Sequence, residues 1–137
     1  MKLNMMTAFL VLALSGGLAQ AKDDDHKHEA KTFATVSVGL QALDAAIADA
    51  KSKVAAGKFE ALHATSEDLH SIAGGLQAKL TDVAADAKDR FKFNVDQLQN
   101  LHEQLEEAHE SASKADADRV VKRLEDVAAR LKALAPK

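Results

Sequence analysis

The sequence predicts an all-α protein that folds as an antiparallel, up-down-up-down four-helix bundle. Apolar residues recur at alternating steps of three and four through most of residues 32–137, and this spacing aligns them along one face of a helix. The single proline is Pro136, and the abundant Ala, Leu, Lys and Glu favour helix nearly everywhere. Short connections between four such segments make consecutive helices antiparallel neighbours.

The first predicted helix is bounded by Thr32 and Gly57. Threonine accepts a backbone hydrogen bond at helix N-termini, and glycine adopts the left-handed conformation that ends many helices. We therefore expect Thr32 to be the N-cap and Gly57 to follow the last turn. The buried positions between them are predicted to be Phe33, Val36, Leu40, Leu43, Ile47, Ala50 and Val54.

The second predicted helix begins near Phe59 and gives way to a turn within residues 81–86. Gly74 and Gly75 lie inside it, where each glycine is unfavourable by about 1 kcal/mol relative to alanine. They indicate a close approach of another helix, a kink, or an early helix end. The predicted buried positions are Phe59, Leu62, Ser66, Leu69, Ala73, Leu76, Leu80 and Val83.

A short loop over residues 113–116 separates the third and fourth predicted helices. Asp116 is expected to cap the fourth helix, and Pro136 to stop it. The predicted buried positions are Phe91, Val95, Leu98, His102, Leu105, His109 and Ala112 in the third helix and Val120, Leu124, Val127, Leu131 and Leu134 in the fourth.

Residues 1–21 have the pattern of a secretory signal peptide. Lys2 supplies the basic start, an apolar run of about ten residues follows, and Ala19-Gln20-Ala21 fits the small-x-small cleavage rule. That run is too short to remain as a membrane anchor, so we predict cleavage after Ala21 and a periplasmic location. The remaining chain divides into a polar N-terminal arm, residues 22–31, and the bundle, residues 32–137.

The charge and composition exclude several classes of function. The formal net charge is −3, and no basic stripe is present, which argues against a nucleic-acid partner. The chain has no cysteine, so it has neither disulfides nor a lipid attachment site. No nucleophile–base set or phosphate-binding glycine loop is present, and we therefore expect no enzymatic activity.

A pattern of His-x3-Glu-x2-His occurs twice and accounts for four of the six histidines. Offsets of four and seven residues keep the three side chains within about 60° of arc on a helix. In antiparallel helices His63 would approach His109 and His70 would approach His102. The two copies are His63, Glu67, His70 and His102, Glu106, His109.

Imidazole and carboxylate groups without sulfur are ligands for zinc, nickel, cobalt, copper(II) or iron. The third-helix histidines are predicted to lie on the core seam, whereas the second-helix histidines lie one place off it. Glu67 and Glu106 could bridge two ions, each completed by one histidine from either helix, as in carboxylate-bridged bundle centres with their Glu-x-x-His motif. Alternatively, one ion takes a single cross-helix histidine pair and a nearby glutamate.

Other interpretations stay open from the sequence. The histidines could be structural, each bonded to a glutamate three or four residues away. They could form a pH-responsive patch on a non-catalytic interaction or chaperone-like module that contacts an envelope protein, or His63 and His109 could hold a b-type haem. In the arm, His26 and His28 could bind metal weakly or lie in a solvated, disordered terminus. A monomer and a homodimer are equally compatible with the sequence.

The region from Leu62-His63 through Ala115-Asp116 resembles a family of small, uncharacterised, secreted bacterial helical proteins. The shared features are a signal peptide, a Leu/Ile-His step in the middle helix, and a later Leu-Glu-Glu-x-His followed by Ser and Ala-Asp. The resemblance implies that His63 and His109 are the principal pair, and it implies no particular activity. The architecture is also similar to that of periplasmic bundle cytochromes and metal-resistance sensors, a likeness of fold alone. In this chain the later motif is Leu105-Glu106-Glu107-Ala108-His109, with Ser113 and Ala115-Asp116 after it.

Overall fold

Four α-helices form the regular structure of residues 29–137, which are the residues that the computed structural model describes. Each helix packs against two others: α1 against α2 and α4, and α3 against α2 and α4. The predicted all-α class is confirmed for this part of the chain. Single 3-10 turns, Phe59–Ala61 and Leu80–Asp82, lie on either side of α2. The helices are α1 Val36–Ala55, α2 Leu62–Gln77, α3 Lys88–Ser111 and α4 Lys114–Leu134.

The start of α1 differs from the prediction, because Thr35 and not Thr32 is the N-cap. The Thr35 hydroxyl accepts a hydrogen bond from the Val38 amide at 3.2 Å. Residues 31–34, which precede it, lie against α2 as a non-helical strap. The Lys31 amide donates to the Ser71 carbonyl at 2.9 Å, and the Phe33 ring is buried. Burying that ring against α2 requires a non-helical path, so the helix begins three residues later than expected.

Gly75 provides the space in which this strap lies. A Cβ atom built on Gly75 would come within 2.3 Å of the Lys31 carbonyl oxygen and 2.5 Å of the Phe33 ring. The glycine therefore serves a close approach, one of the expected possibilities, although the approaching segment is the strap and not a helix. Lys31, predicted as the last residue of a polar arm, is attached to α2 and also pairs with Asp68.

The end of α1 confirms the prediction for Gly57. This residue has a φ of +68°. The Gly57 amide donates to the Val54 carbonyl at 3.1 Å, and the Lys58 amide donates to the Lys53 carbonyl at 2.9 Å. These two bonds form a Schellman motif. The chain turns there directly into the 3-10 turn that carries Phe59.

The α2–α3 connection is longer than predicted. Regular α-helix ends at Gln77, and a 3-10 turn and bends fill the path to Lys88. Val83 still packs in the core, as predicted, but its backbone is extended, with φ −86° and ψ 140°. The core contact at Val83 is therefore reached by a loop and not by a continuation of α2.

The buried stripe of α3 matches the prediction at Phe91, Val95, Leu98 and Leu105 but is shifted by one residue at the two histidine positions. Leu101 and Ala108 are each 1% exposed and occupy the core, whereas His102 and His109 are half-buried beside them. Ala112 is exposed and ends the helix with a left-handed φ of 49°. The expectation that both histidines lie on the core seam is wrong, because the alternative spacing places leucine and alanine there and leaves the imidazoles at the edge facing α2.

The start of α4 also differs from the prediction. Ser113 is the N-cap, and its hydroxyl accepts from the Asp116 amide at 3.3 Å, so Asp116 lies in the first turn. The predicted core positions are buried except Leu134, which is partly buried. Among residues 29–137, no helix is both long enough and apolar enough to cross a bilayer.

Candidate metal site

The facing edges of α2 and α3 carry the two histidine pairs. The rings of His63 and His109 have their centroids 5.7 Å apart, and those of His70 and His102 are 4.6 Å apart. The structure thus brings together the same cross-helix partners that the duplicated pattern predicted. The first pair is the more accessible, since the His63 side chain is 51% exposed and the His109 side chain 24%.

His63, Glu106 and His109 form a cluster that could hold a metal ion. One ligand atom from each lies within 4.8 Å of the others. His63 Nδ1 is 2.7 Å from Glu106 Oε1, and His109 Nε2 is 3.9 Å from the same oxygen. Ligand atoms around a tetrahedral zinc ion, bound at about 2.0–2.2 Å, are roughly 3.3–3.5 Å apart. Small side-chain rotations would therefore bring the three groups to binding geometry.

The tautomer of His109 is set by the backbone. Its Nδ1 lies 2.9 Å from the carbonyl oxygen of Phe59. Because a carbonyl oxygen can only accept, Nδ1 must carry the proton, and the neutral ring then has its lone pair on Nε2. Metal-bound histidines are commonly oriented by such a bond from the second ring nitrogen. Sequence reasoning placed Phe59 in the core of a helix and missed this role of its main chain.

His63 lies between two carboxylates. Its Nδ1 faces Glu106, and its Nε2 is 3.2 Å from Glu67 Oε1. The hydrogen bond to Glu106, with the negative charges of both glutamates, raises the pKa of His63 above its ordinary value. The imidazolium form is thereby favoured. A metal ion that binds His63 must displace that proton.

His102 of the second pair is held by two further bonds. His102 Nδ1 donates to the carbonyl oxygen of Gln99, so its neutral ring also has its lone pair on Nε2. The Ser66 hydroxyl donates to the His102 carbonyl at 2.9 Å and so connects α2 directly to α3. Ser66 was predicted as a buried position, but its hydroxyl bond could not be read from its spacing.

A surface groove of about 430 Å³ runs along this edge. Its lining includes five glutamates and, among the described residues that line it, no lysine or arginine. A groove of one charge sign concentrates counter-ions, here cations. Sequence reasoning named two of these carboxylates and missed three, although their spacing of three and four residues along α3 places them on one face. The missed residues are Glu103, Glu107 and Glu110.

Two groups of predictions lie outside the described residues. They are the signal peptide over residues 1–21 and the weak auxiliary ligands His26 and His28. The candidate ligands among residues 29–137 therefore stand on α2 and α3.

Comparisons with known proteins add no assignment. No protein-family model, curated protein or solved structure matches this chain. The resemblance to small secreted helical proteins accordingly stays a prediction.

Proposed function

We propose that this protein binds a divalent transition-metal ion through His63, Glu106 and His109, and that it buffers, delivers or senses that ion in the periplasm. The observation that carries the proposal is the pre-assembled cluster, with ligand atoms within 4.8 Å of one another and His109 oriented by a backbone carbonyl. Two imidazoles and a carboxylate suit zinc, nickel, cobalt, copper(II) or iron.

We further infer that the helices alternate in direction as an up-down-up-down bundle. Supporting contacts between α1 and α4 run in opposite chain order, from Asp44 to Lys132 at 2.6 Å and from Lys51 to Glu125 at 2.7 Å. The histidine pairs show the same reversed order between α2 and α3. This direction matters for the site, because it makes the two copies of the pattern face each other.

The exposure of the site supports exchange of the ion and not permanent retention. With three protein ligands and a half-exposed His63, an ion would keep at least one position for water or for a ligand from a partner. The helices already share an apolar core, so the ion would not be needed to hold them together, unlike in a zinc finger. Both properties suit buffering or delivery.

The decisive experiment is a metal titration of the untagged, chelator-stripped protein. Nickel, copper(II), zinc and cobalt are each added to the protein, and binding is measured calorimetrically. We expect stoichiometric binding that weakens at least tenfold in His63→Ala and in His109→Ala. Glu110→Gln removes a charge from the same groove but no cluster ligand, so it should change the affinity little. Absence of any binding tighter than about 10 μM, roughly 7 kcal/mol, would overturn the proposal.

A second candidate is a non-catalytic envelope interaction module with a histidine-based pH response. The position of His63 between Glu67 and Glu106, with its raised pKa, favours it. It predicts that association or stability changes as the pH rises from about 6.5 through the raised pKa of His63, to the same extent with and without a chelator. A b-type haem between His63 and His109 has less support, because the groove is acidic and a porphyrin needs an apolar slot. A spectrum unchanged by added haem would exclude it.

A further inference from the structure

We propose that His70 and His102 form a second metal site, separate from the His63–Glu106–His109 cluster, which binds copper(II) through two imidazoles. The two ring centroids are 4.6 Å apart with the planes tilted by 60°. Both residues are half-buried, at the edge of the interface between α2 and α3. The site uses none of the ligands of the first cluster, so the two proposals can be tested independently.

The orientation of His102 is the first argument for a ligand role. Its Nδ1–H is bound by the carbonyl oxygen of Gln99, which leaves Nε2 with the lone pair that a metal requires. His109 is oriented in the same way by Phe59. Both α3 histidines of the duplicated pattern are therefore held by a main-chain acceptor in the tautomer that binds metal through Nε2.

The backbone position of His102 is also restrained. The Ser66 hydroxyl donates to the carbonyl of His102 itself, so α2 and α3 are connected at the residue that carries the ligand. A binding site gains precision when its ligands stand on rigid elements that are held to each other. This bond supplies that restraint one helical turn from His70.

The two pairs are too far apart to share an ion. Seven residues separate the histidines on each helix, which is about 10.5 Å along the axis. Ions joined by a bridging carboxylate are only about 3.5–4 Å apart. Moreover, Glu67 and Glu106 both contact His63. Two independent ions therefore fit the geometry better than a bridged pair.

The ligand set indicates which ion the second site prefers. Copper(II) stands highest among the divalent first-row ions for a given nitrogen site, and it is bound well by imidazole with water in its remaining positions. The acidic groove, whose lining includes His102 and Glu103, would attract the cation to this edge of the molecule.

The test is a copper(II) titration of the untagged full chain in a His26→Ala/His28→Ala background, which removes the other two histidines. We expect this parent protein to bind two equivalents of copper(II). Each single variant should bind one equivalent: His102→Ala, His70→Ala and His63→Ala. His63→Ala/His102→Ala should bind none, and Asn100→Ala, an exposed change on α3, should bind two. Circular dichroism of each variant confirms that it is folded, and a His→Gln change at the same position replaces any His→Ala change that unfolds the protein.

Electron paramagnetic resonance supplies a readout that a purely structural role would not affect. Two copper(II) ions about 10 Å apart, as the seven-residue helical offset implies, should broaden each other's spectra by dipolar coupling. Each single-site variant should lose that broadening. One equivalent, retained in both His70→Ala and His102→Ala but lost in His63→Ala, would overturn this inference and leave the proposed function intact. One equivalent of bound copper(II) that is lost in His102→Ala but retained in His63→Ala would support this inference and overturn the proposed function.

Discussion

The Nδ1 atom of His109 donates a hydrogen bond to the main-chain carbonyl of Phe59, 2.9 Å away. This bond joins α3 to the 3-10 turn that precedes α2, and it turns the Nε2 atom of His109 toward Glu106. The same carbonyl also accepts a hydrogen bond from the Leu62 amide at the end of that turn, and the Schellman motif at Gly57, two residues earlier, directs the chain into the turn. A loop conformation and a candidate ligand are therefore mechanically linked.

That link predicts the effect of Gly57→Ala. No atom lies within 4 Å of a Cβ built at this position, so the change acts through the positive φ alone. We expect a loss of about 1–2 kcal/mol in the free energy of unfolding, since the left-handed conformation is unfavourable for alanine. The affinity for zinc should fall as the Phe59 carbonyl moves. Urea unfolding and calorimetry measure the two effects, with Lys58→Ala as an exposed neighbouring control. An unchanged zinc affinity in a destabilised variant would contradict the link between the Gly57 conformation and His109.

The contacts of His63 predict opposite pH effects on stability and on metal binding. Its pKa is raised in the folded protein by the hydrogen bond to Glu106. The His63–Glu106 pair therefore stabilises the fold fully below the unfolded value of about 6.5, and the contribution is lost as the pH rises through the higher folded pKa. Metal affinity should instead fall on acidification, because the proton competes for His63.

Glu106→Gln tests whether the His63–Glu106 pair raises the pKa of His63. The variant keeps the size of the side chain but removes its charge, so the His63 pKa should fall toward its ordinary value. NMR titration of the His63 ring measures this directly, and Glu110→Gln is the matched change elsewhere in the groove. A His63 titration that is the same in the wild type and in Glu106→Gln would show that the pair does not form in solution.

A polar network between α1 and α2 predicts acid sensitivity. Thr65, only 2% exposed, donates to Asp49 at 2.5 Å and accepts from Lys53 at 2.8 Å. The hydrogen bonds from Lys53 and from Thr65 lower the pKa of Asp49. Its contribution is therefore present above the usual aspartate pKa and is lost as the pH falls through the lowered folded value.

Thr65→Val should reduce the free energy of unfolding at neutral pH by about 1 kcal/mol, since it removes the hydroxyl and leaves the shape nearly unchanged. Its acid-unfolding midpoint, measured by circular dichroism, should move to higher pH. Thr81→Val, at an exposed threonine, is the control. Equal midpoints for the two variants would contradict a stabilising role for the network.

The strap over residues 31–34 predicts that alanine substitutions at the adjacent Gly74 and Gly75 differ in their effect on stability. Gly75→Ala would force a Cβ to within 2.3 Å of the Lys31 carbonyl, and we expect a loss of about 1–3 kcal/mol, as for overpacked cores. At Gly74 the nearest atom is the Ala30 Cβ at 2.8 Å, on an exposed residue outside any helix, so Gly74→Ala should be much milder. Thermal unfolding and limited proteolysis near Lys31 compare the two. Equal losses would show that the strap does not pack on Gly75.

Much of the fold could be predicted because the spacing of apolar residues along a helix indicates which side chains are buried. Leu43, Leu69, Leu98 and Leu124 are predicted core residues with no exposed surface. Caps were less predictable. Thr32 and Thr35 have the same side chain, and only the burial of Phe33 between them decides where the helix begins. The shift of the α3 seam has a similar origin, since leucine and histidine both fit the spacing but only leucine is buried without a polar partner.

The helical class and the connection at Gly57 could be read from the sequence, because both follow from local backbone preference and helical periodicity. The partners in each histidine pair followed once consecutive helices were taken to be antiparallel neighbours. The ring orientations of His63 and His109 depend instead on the tertiary structure. The Phe59 carbonyl is 50 residues from His109 along the chain, and the Glu106 carboxylate is 43 residues from His63. A hydrogen bond across such a separation depends on how the helices pack, which no short-range pattern in the chain records.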